Sequence, residues 1–109
     1  MQEEGFRIWL SKRKGQGTHS NVVGSVVARA RRVERAFGDL DAAYSQDRLR
    51  SILNILDAIL DAMRNGHVAD ERLRSRGKLP TLETVDDLPS AVKSYRAYKA
   101  GADPHCALG

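Results

Sequence analysis

Apolar residues recur at intervals of three and four along most of this chain, which is the spacing that places them on one side of an α-helix. The strongest repeat contains Leu49, Ile52, Leu53, Leu56, Ile59, Leu60 and Met63. We expect Ser45 or Asp47 to cap this helix, because short polar side chains favour that position. The helix should end at Arg64 or Asn65 and be the most buried element, with Leu53 and Leu56 in the core.

Two helices are predicted before this repeat. The apolar edge of the first consists of Phe6, Trp9 and Leu10. That helix should run to about Arg13 and stop before Gly15. The second begins at one of three capping residues, namely Thr18, Ser20 or Asn21. It should end at Phe37, with Gly38 in the left-handed closing position.

The second helix has an apolar side and a basic side. Its apolar residues span an arc of about 80° and are Val22, Val26, Ala30, Val33 and Phe37, with Val23 and Val27 at the edge. Arg31, Arg32 and Arg35 are expected to project from the opposite side, beside small residues that would not hold a partner away. The helix is therefore suited to lie against an acidic surface.

The remainder of the chain predicts one more helix. Between residues 67 and 84 the pattern weakens, and a single helical turn is expected before Gly77 and Pro80. Asp86 or Asp87 should then cap a last helix that has Pro89 in its first turn. Its apolar side consists of Leu88, Val92, Tyr95 and Tyr98, and it should close at Gly101.

No stretch alternates with the period of a strand, so the predicted fold is all-α, a compact array of four to five short helices. With 109 residues, of which 41% are apolar, we expect one domain over residues 1–101 and a flexible tail over 102–109. Cys106 is the only cysteine, so no intramolecular disulfide forms. No signal peptide or apolar run of membrane-spanning length is evident, which predicts a cytoplasmic protein with no membrane partner.

The net charge of +4 is unevenly distributed along the chain. Residues 1–37 hold eight Lys and Arg against three Asp and Glu. This asymmetry suits a polyanion that approaches from one side, although a moderate positive charge is also compatible with solubility alone.

The order of motifs resembles a known family. FRIWL, a turn with glycines, SVVARARRVERAFGDLD, the leucine-rich helix and LPSAVKSYRAYKAG together resemble the N-terminal core-binding, or SAM-like, domain of tyrosine recombinases. A similar domain precedes the nuclease domain of some restriction-type proteins. The match covers about residues 5–101 and includes the step Arg31, Arg32, Val33 and Glu34.

The resemblance implies a SAM-like module that grips duplex DNA while a separate domain performs the chemistry. This sequence departs from the family at Val26, where an aromatic residue is usual, and no catalytic domain follows. The alternatives are an accessory binder, a fragment of a longer protein, or a domain reused for another purpose.

The sequence predicts no enzyme, cofactor or metal site. His19, His67 and His105 lie far apart, and no zinc-binding spacing is present. The segment Lys14–Thr18 lacks the order of residues of a phosphate-binding loop. Asp57 and Asp61 form a pair one helical turn apart, which nearby arginines are expected to neutralise.

The candidate DNA-binding residues fall into four groups. They are Lys12, Arg13 and Lys14 at the end of the first helix; His19, Ser20 and Asn21 at the start of the second; Arg31, Arg32 and Arg35; and Arg72, Arg74, Arg76 and Lys78, read as a flexible arm. Free amide groups at the start of the second helix would add phosphate donors. Each group can also be interpreted as ordinary solvated surface. The first group can also be interpreted as cations that stabilise the C-terminal end of the first helix.

Two functions therefore remain open. The first is non-catalytic binding of duplex DNA, mainly through phosphates contacted by the second helix. The alternative is a small interaction protein, of the kind that a phage encodes, that docks on a nucleic-acid-handling complex and blocks or recruits it. Its acidic residues Asp39, Asp41, Asp47, Asp57 and Asp61 would then face a basic groove.

Overall fold

The computed structural model describes residues 1–12, 20–74 and 77–101, except for the side chains of residues 20–22. The α-helices are α1 (Glu3–Ser11), α2 (Ser20–Phe37), α3 (Leu40–Asp47), α4 (Arg50–Arg64), α5 (Leu82–Asp86) and α6 (Leu88–Lys99), and a 3₁₀ turn spans Glu71–Leu73. No β-strand occurs in these ranges, which confirms the all-α class. None of these helices is long and apolar enough to cross a membrane. The predicted tail, with Cys106, lies outside the described residues.

Helix α4 carries the predicted apolar repeat into the centre of the molecule. Its buried residues are Ile52, Leu53, Leu56 and Leu60. Ile59 and Met63 are only partly buried, at the margin of the same core. Leu56 is completely inaccessible to solvent, whereas the neighbouring Asp57 is exposed. The predicted orientation of this helix is therefore confirmed.

Helix α3 was not predicted; it lies between the closing glycine of α2 and the expected start of the leucine-rich helix. Gly38 does end α2, with a left-handed φ of +103°. The carboxylate of Asp39 then accepts the backbone N–H of Asp41 at 3.0 Å and caps a new helix. Ser45, expected to cap the leucine-rich helix, lies inside α3 instead. A helix of eight residues is too short for an apolar repeat to indicate it in the sequence.

Two residues, neither of them glycine, separate α3 from α4. Arg48 and Leu49 both adopt left-handed φ values, of 60° and 67°. Leu49 is completely buried, and its packing in the core holds this unusual backbone in place. Asp47 is the last residue of α3, yet its carboxylate accepts the backbone N–H of Ser51 at 3.0 Å. It therefore satisfies the first turn of α4, as a cap would.

Residues 69–74 fold back against α2, and Glu71–Leu73 form a 3₁₀ turn where the sequence predicts a single helical turn. Leu73 in the 3₁₀ turn is buried, and the carboxylate of Asp70 caps the turn by accepting the N–H of Arg72 at 2.8 Å. Helix α2 also contacts α1 and α6. Its buried residues are Val23, Val27, Ala30 and Val33, with Val26 and Phe37 partly buried. The apolar side is therefore shifted toward Val23 and Val27, which were expected at its edge.

A short helix, α5, precedes the last helix, α6. Thr81 caps α5, which was not predicted, by accepting the N–H of Thr84 at 3.3 Å. Helix α6 begins at the predicted place, with a proline in its first turn. Asp87 flanks it, but its side chain makes no capping hydrogen bond. That carboxylate pairs with Arg29 of α2 at 3.3 Å instead.

An aromatic cluster joins α1 to α6. The rings of Phe6 and Tyr95 meet edge to face, with 5.0 Å between their centroids. Trp9 and Tyr98 complete the cluster, each about 6 Å from a neighbouring ring. Gly5 of α1 faces Tyr98 of α6, and a β-carbon at this position would clash with the Tyr98 hydroxyl. A larger residue at position 5 would therefore require the Tyr98 side chain to shift.

The start of the chain is held by a polar network beside this cluster. The Tyr95 hydroxyl accepts the backbone N–H of Gln2 at 2.8 Å and donates to Asp41. The amino group of Met1 lies 2.7 Å from Glu34 and 3.3 Å from Asp39. Burial alone would lower the pKa of this amino group, but its hydrogen bonds to the two carboxylates outweigh that effect and raise the pKa to about 10.

The burial of α4 generates a stability prediction. Leu56→Ala should lower the free energy of unfolding by roughly 2–5 kcal/mol, because it leaves a cavity in the core. Asp57→Ala, on the exposed side, should change it by no more than about 0.5 kcal/mol. Urea denaturation of both variants measures the difference. Equal losses of stability would contradict the orientation assigned to α4.

The Met1 network generates a pH prediction. Because folding raises the pKa of the amino group from 8.0 to about 10, its contribution is complete below pH 8 and is lost as pH rises to 10. Asp39 is 59% exposed, so solvent screening limits the loss to the order of 1 kcal/mol. Urea denaturation at intervals between pH 7 and pH 10 measures it.

Glu34→Gln is the matched control for this measurement. The amide keeps an oxygen that can accept the Leu40 N–H, which Glu34 accepts at 3.2 Å, but it removes the charge. The loss of stability between pH 8 and pH 10 should therefore shrink. The series stops at pH 10 because burial raises the pKa of Tyr95 above its ordinary 10.0, which adds a separate loss at higher pH. An unchanged pH profile in Glu34→Gln would contradict the assignment.

Candidate anion-binding groove

The three arginines predicted to form one outward stripe on α2 occupy different environments. Arg31 is half-exposed and pairs with Glu3 of α1. Glu3 also contacts Arg7 at 3.3 Å. The hydrogen bond from Arg31, more than that from Arg7, holds the pKa of the Glu3 carboxyl below its usual range. Part of the positive charge of Arg31 is therefore compensated within the protein.

Arg32 does not project into solvent as predicted. One terminal nitrogen of its guanidinium donates to the backbone carbonyl of Leu73 at 2.9 Å, and the side chain is partly buried. Its Nε is buried and has no hydrogen-bond partner among the described residues. Arg32 is partly buried because the 3₁₀ turn folds over this side of α2. Arg32 thus fastens the turn to the helix, and no carboxylate among the described residues pairs with its guanidinium.

Arg32 and Arg35 form one wall of an open groove, and the segment that leads into α5 forms the other. The groove has a volume of about 550 Å³ and is lined by Arg32, Arg35, Lys78, Leu79, Pro80, Thr81 and Thr84. Three of these side chains are cations, two carry hydroxyl groups and none is a carboxylate. Arg35 and Lys78 are exposed. Neither makes an ion pair through its side chain with the described part of the chain.

The groove unites residues that the sequence placed in separate groups. Lys78 was assigned to a flexible arm, whereas Arg32 and Arg35 were assigned to the helix. The threonines were not predicted to contribute. A signal for them does exist, because Thr81 followed by an acidic first turn at Glu83 is a helix-start pattern. That pattern would have placed an ordered segment beside Lys78.

The other arginines of the predicted arm are engaged locally. Arg72 makes a two-pronged pair with Asp70, at 3.0 and 2.9 Å, and its guanidinium lies 4.7 Å above the centre of the Phe37 ring. Arg74 pairs in the same way with Glu71, at 2.8 and 2.9 Å. These bonds hold the pKa values of both carboxyls below their usual range. Arg76 lies outside the described residues.

The predicted basic cluster around the first turn of α2 is described only at Lys12. Lys12 is exposed at the end of α1. Arg13, Lys14 and His19 lie outside the described residues, as do the side chains of Ser20 and Asn21. The proposed phosphate site at the start of α2 therefore stays a prediction.

The acidic residues fall into two sets. Asp39 and Asp41 contact the Met1 amino group, and Asp47 is bonded to Ser51. Asp57 and Asp61 are exposed on α4. Of the two nearby arginines expected to neutralise this pair, Arg50 and Arg64, the second lies 3.2 Å from Asp86 instead. In the described ranges, no three His, Cys, Asp or Glu side chains are grouped as metal ligands would be.

Comparison with known proteins adds no further constraint. The chain matches no protein-family model, and searches of curated proteins and of solved structures find no match to it. The groove must therefore be interpreted from its own chemistry.

Proposed function

We propose that this protein is a non-catalytic module that binds duplex DNA through its phosphates. The observation that carries the proposal is the groove between α2 and residues 78–84, in which three cations and two hydroxyl groups are brought together with no carboxylate. Phosphodiester oxygens accept hydrogen bonds from Arg, Lys and Thr side chains, and each carries part of a fixed negative charge. The resemblance to recombinase core-binding domains, which rests on sequence motifs, favours the same ligand.

The three cations differ in what they would contribute. Arg32 is held by Leu73, so its guanidinium is oriented before a ligand arrives and loses little side-chain entropy on binding. Arg35 and Lys78 have exposed side chains that can move to meet successive phosphates. We therefore assign the main phosphate contacts to Arg35 and Lys78 and a fixed electrostatic contribution to Arg32. Arg31, already paired with Glu3, is assigned a smaller share.

The alternative, docking on a partner protein through an acidic face, has weaker support. Three of the five aspartates proposed for that face already contact groups within the protein. Asp57 and Asp61 remain exposed, on a different helix from the groove. If the variant Asp57→Ala with Asp61→Ala lost its association with a partner protein but kept its affinity for DNA, the result would favour the alternative.

The test compares two double variants that remove the same charge. Arg35→Gln with Lys78→Gln should weaken binding to duplexes of unrelated sequence by roughly 60-fold at about 0.1 M salt, and should flatten the dependence of log K on log salt by about 1.8. These values correspond to the release of about two counterions. Fluorescence anisotropy titrations at several salt concentrations measure both quantities, and both variants should remain folded because the altered side chains are exposed.

Arg50→Gln with Arg64→Gln is the matched control. Both arginines are exposed on α4, away from the groove lining, and their removal lowers the net charge by the same amount. Only a small change in affinity is expected. Equal weakening by the two double variants would show that net charge, and not the groove, attracts the DNA. Absence of duplex binding by the unaltered protein at about 50 mM salt would end the proposal.

A further inference from the structure

A second basic pocket lies between the end of α3 and the second half of α6. It has a volume of about 450 Å³ and is lined by Tyr44, Arg48, Lys93, Arg96, Ala97 and Ala100. Like the groove, it brings together three cations without a carboxylate. The two sites share no lining residue and no helix. Nothing in the motifs of the sequence singled out these three cations as a group.

Arg48 is oriented before any ligand binds. Its guanidinium donates to the Tyr44 hydroxyl at 2.7 Å and lies 5.0 Å from the centre of the same ring. Lys93 and Arg96 are one turn apart on α6, so their side chains reach the pocket from the same side. Arg96 alone is also explained as a cation in the last turn of a helix. That explanation does not extend to Arg48, which belongs to a different element.

The backbone at Arg48 closes α3. Arg48 follows the last residue of α3 with a left-handed φ of 60°. At the corresponding places after α2, α4 and α6 this chain has Gly38, Gly66 and Gly101, all with positive φ. Glycine adopts that backbone without strain, whereas arginine does not. The Arg48 N–H donates to the Tyr44 carbonyl at 2.9 Å and the Leu49 N–H donates to the Ala43 carbonyl at 3.4 Å, so a helix C-cap accounts for this backbone and glycine would fit the same place.

The nearby acidic group is already neutralised. Asp41 lies 3.4 Å from the Lys99 ammonium group and 3.5 Å from the Met1 amino group, and it accepts a hydrogen bond from Tyr95. These contacts together lower the pKa of the Asp41 carboxyl against the opposing effect of burial. Lys99 lies 6.0 Å from the centre of the Tyr44 ring, at the margin of the pocket. The positive charges of Arg48, Lys93 and Arg96 are therefore not balanced by Asp41.

We propose that Arg48, Lys93 and Arg96 form a second binding site for a phosphate group. A planar guanidinium held on an aromatic ring, with a flexible ammonium beside it, fits the oxygens of phosphate better than a single carboxylate. The phosphate can belong to a free phosphorylated small molecule or to a second stretch of nucleic acid. The site does not depend on the groove, so either proposal can fail without the other.

The experiment follows backbone amide resonances in two-dimensional ¹H–¹⁵N NMR spectra. Sodium phosphate is titrated into the labelled protein against a sodium chloride control of equal ionic strength. We expect saturable shifts at residues 48, 93 and 96 with phosphate only. Arg48→Gly should raise the dissociation constant of phosphate at this site about tenfold or more, as expected for the loss of a charged hydrogen-bond donor.

Arg48→Gly is informative because glycine suits the left-handed backbone, so the melting temperature should not fall appreciably. Lys93→Gln with Arg96→Gln gives a second variant that leaves that backbone unaltered. The pair Arg35→Gln with Lys78→Gln is the control and should leave phosphate binding at this pocket unchanged. Shifts that chloride reproduces, or that survive both pocket variants, would overturn the proposal.

A second arm of the experiment identifies the source of the phosphate. A short DNA duplex is added to the unaltered protein and to Arg48→Gly. Saturable shifts at the pocket, together with weaker duplex binding by Arg48→Gly, would assign the site to nucleic acid. Shifts with inorganic phosphate but not with the duplex would assign it to a free phosphorylated molecule. Absence of saturable shifts with both probes would overturn the site.

Discussion

The burial of Tyr95 is the constraint on which the arrangement of the helices depends. Its ring is completely inaccessible and packs against Phe6, so its hydroxyl group must find hydrogen-bond partners inside the protein. The partners are the N–H of Gln2 and the carboxylate of Asp41. A single side chain of α6 therefore fixes the beginnings of both α1 and α3. Because Asp41 follows α2 by only a short connection, the position of the basic half of α2 is set as well.

The groove exists because an apolar residue brings a charged segment back to α2. Leu73 is buried, and its burial carries the 3₁₀ turn across the side of the helix where Arg32 lies. The continuation of that segment supplies Lys78 and the threonines. Without this packing, Arg32 and Lys78 would belong to separate surfaces. Core formation and the assembly of the basic site are thus consequences of the same contact.

Sequence reasoning identified the elements whose apolar repeat is long enough to be read, namely α1, α2, α4 and α6. It missed α3 and α5, which have only eight and five residues. The boundary between α3 and α4 was missed because its two left-handed residues, Arg48 and Leu49, include no glycine. It named all three cations of the groove but could not place them together, because Lys78 meets α2 only through tertiary packing. Arg48 was overlooked for the same physical reason: the other two cations of the pocket, Lys93 and Arg96, are more than 40 residues away in the sequence.

The contact between the first and last helices has a consequence for the order of folding. The hydrogen bond from Gln2 to Tyr95 joins residues 93 positions apart, so α1 completes its contacts only after α6 has packed against α2. Helix α1 is therefore expected to dock late in folding and to detach in local opening events before the rest of the core. Detachment would carry Glu3 away from Arg31. Local loss of order at the N-terminus would thus release a positive charge on α2, and the basic surface would be largest in the partly opened molecule.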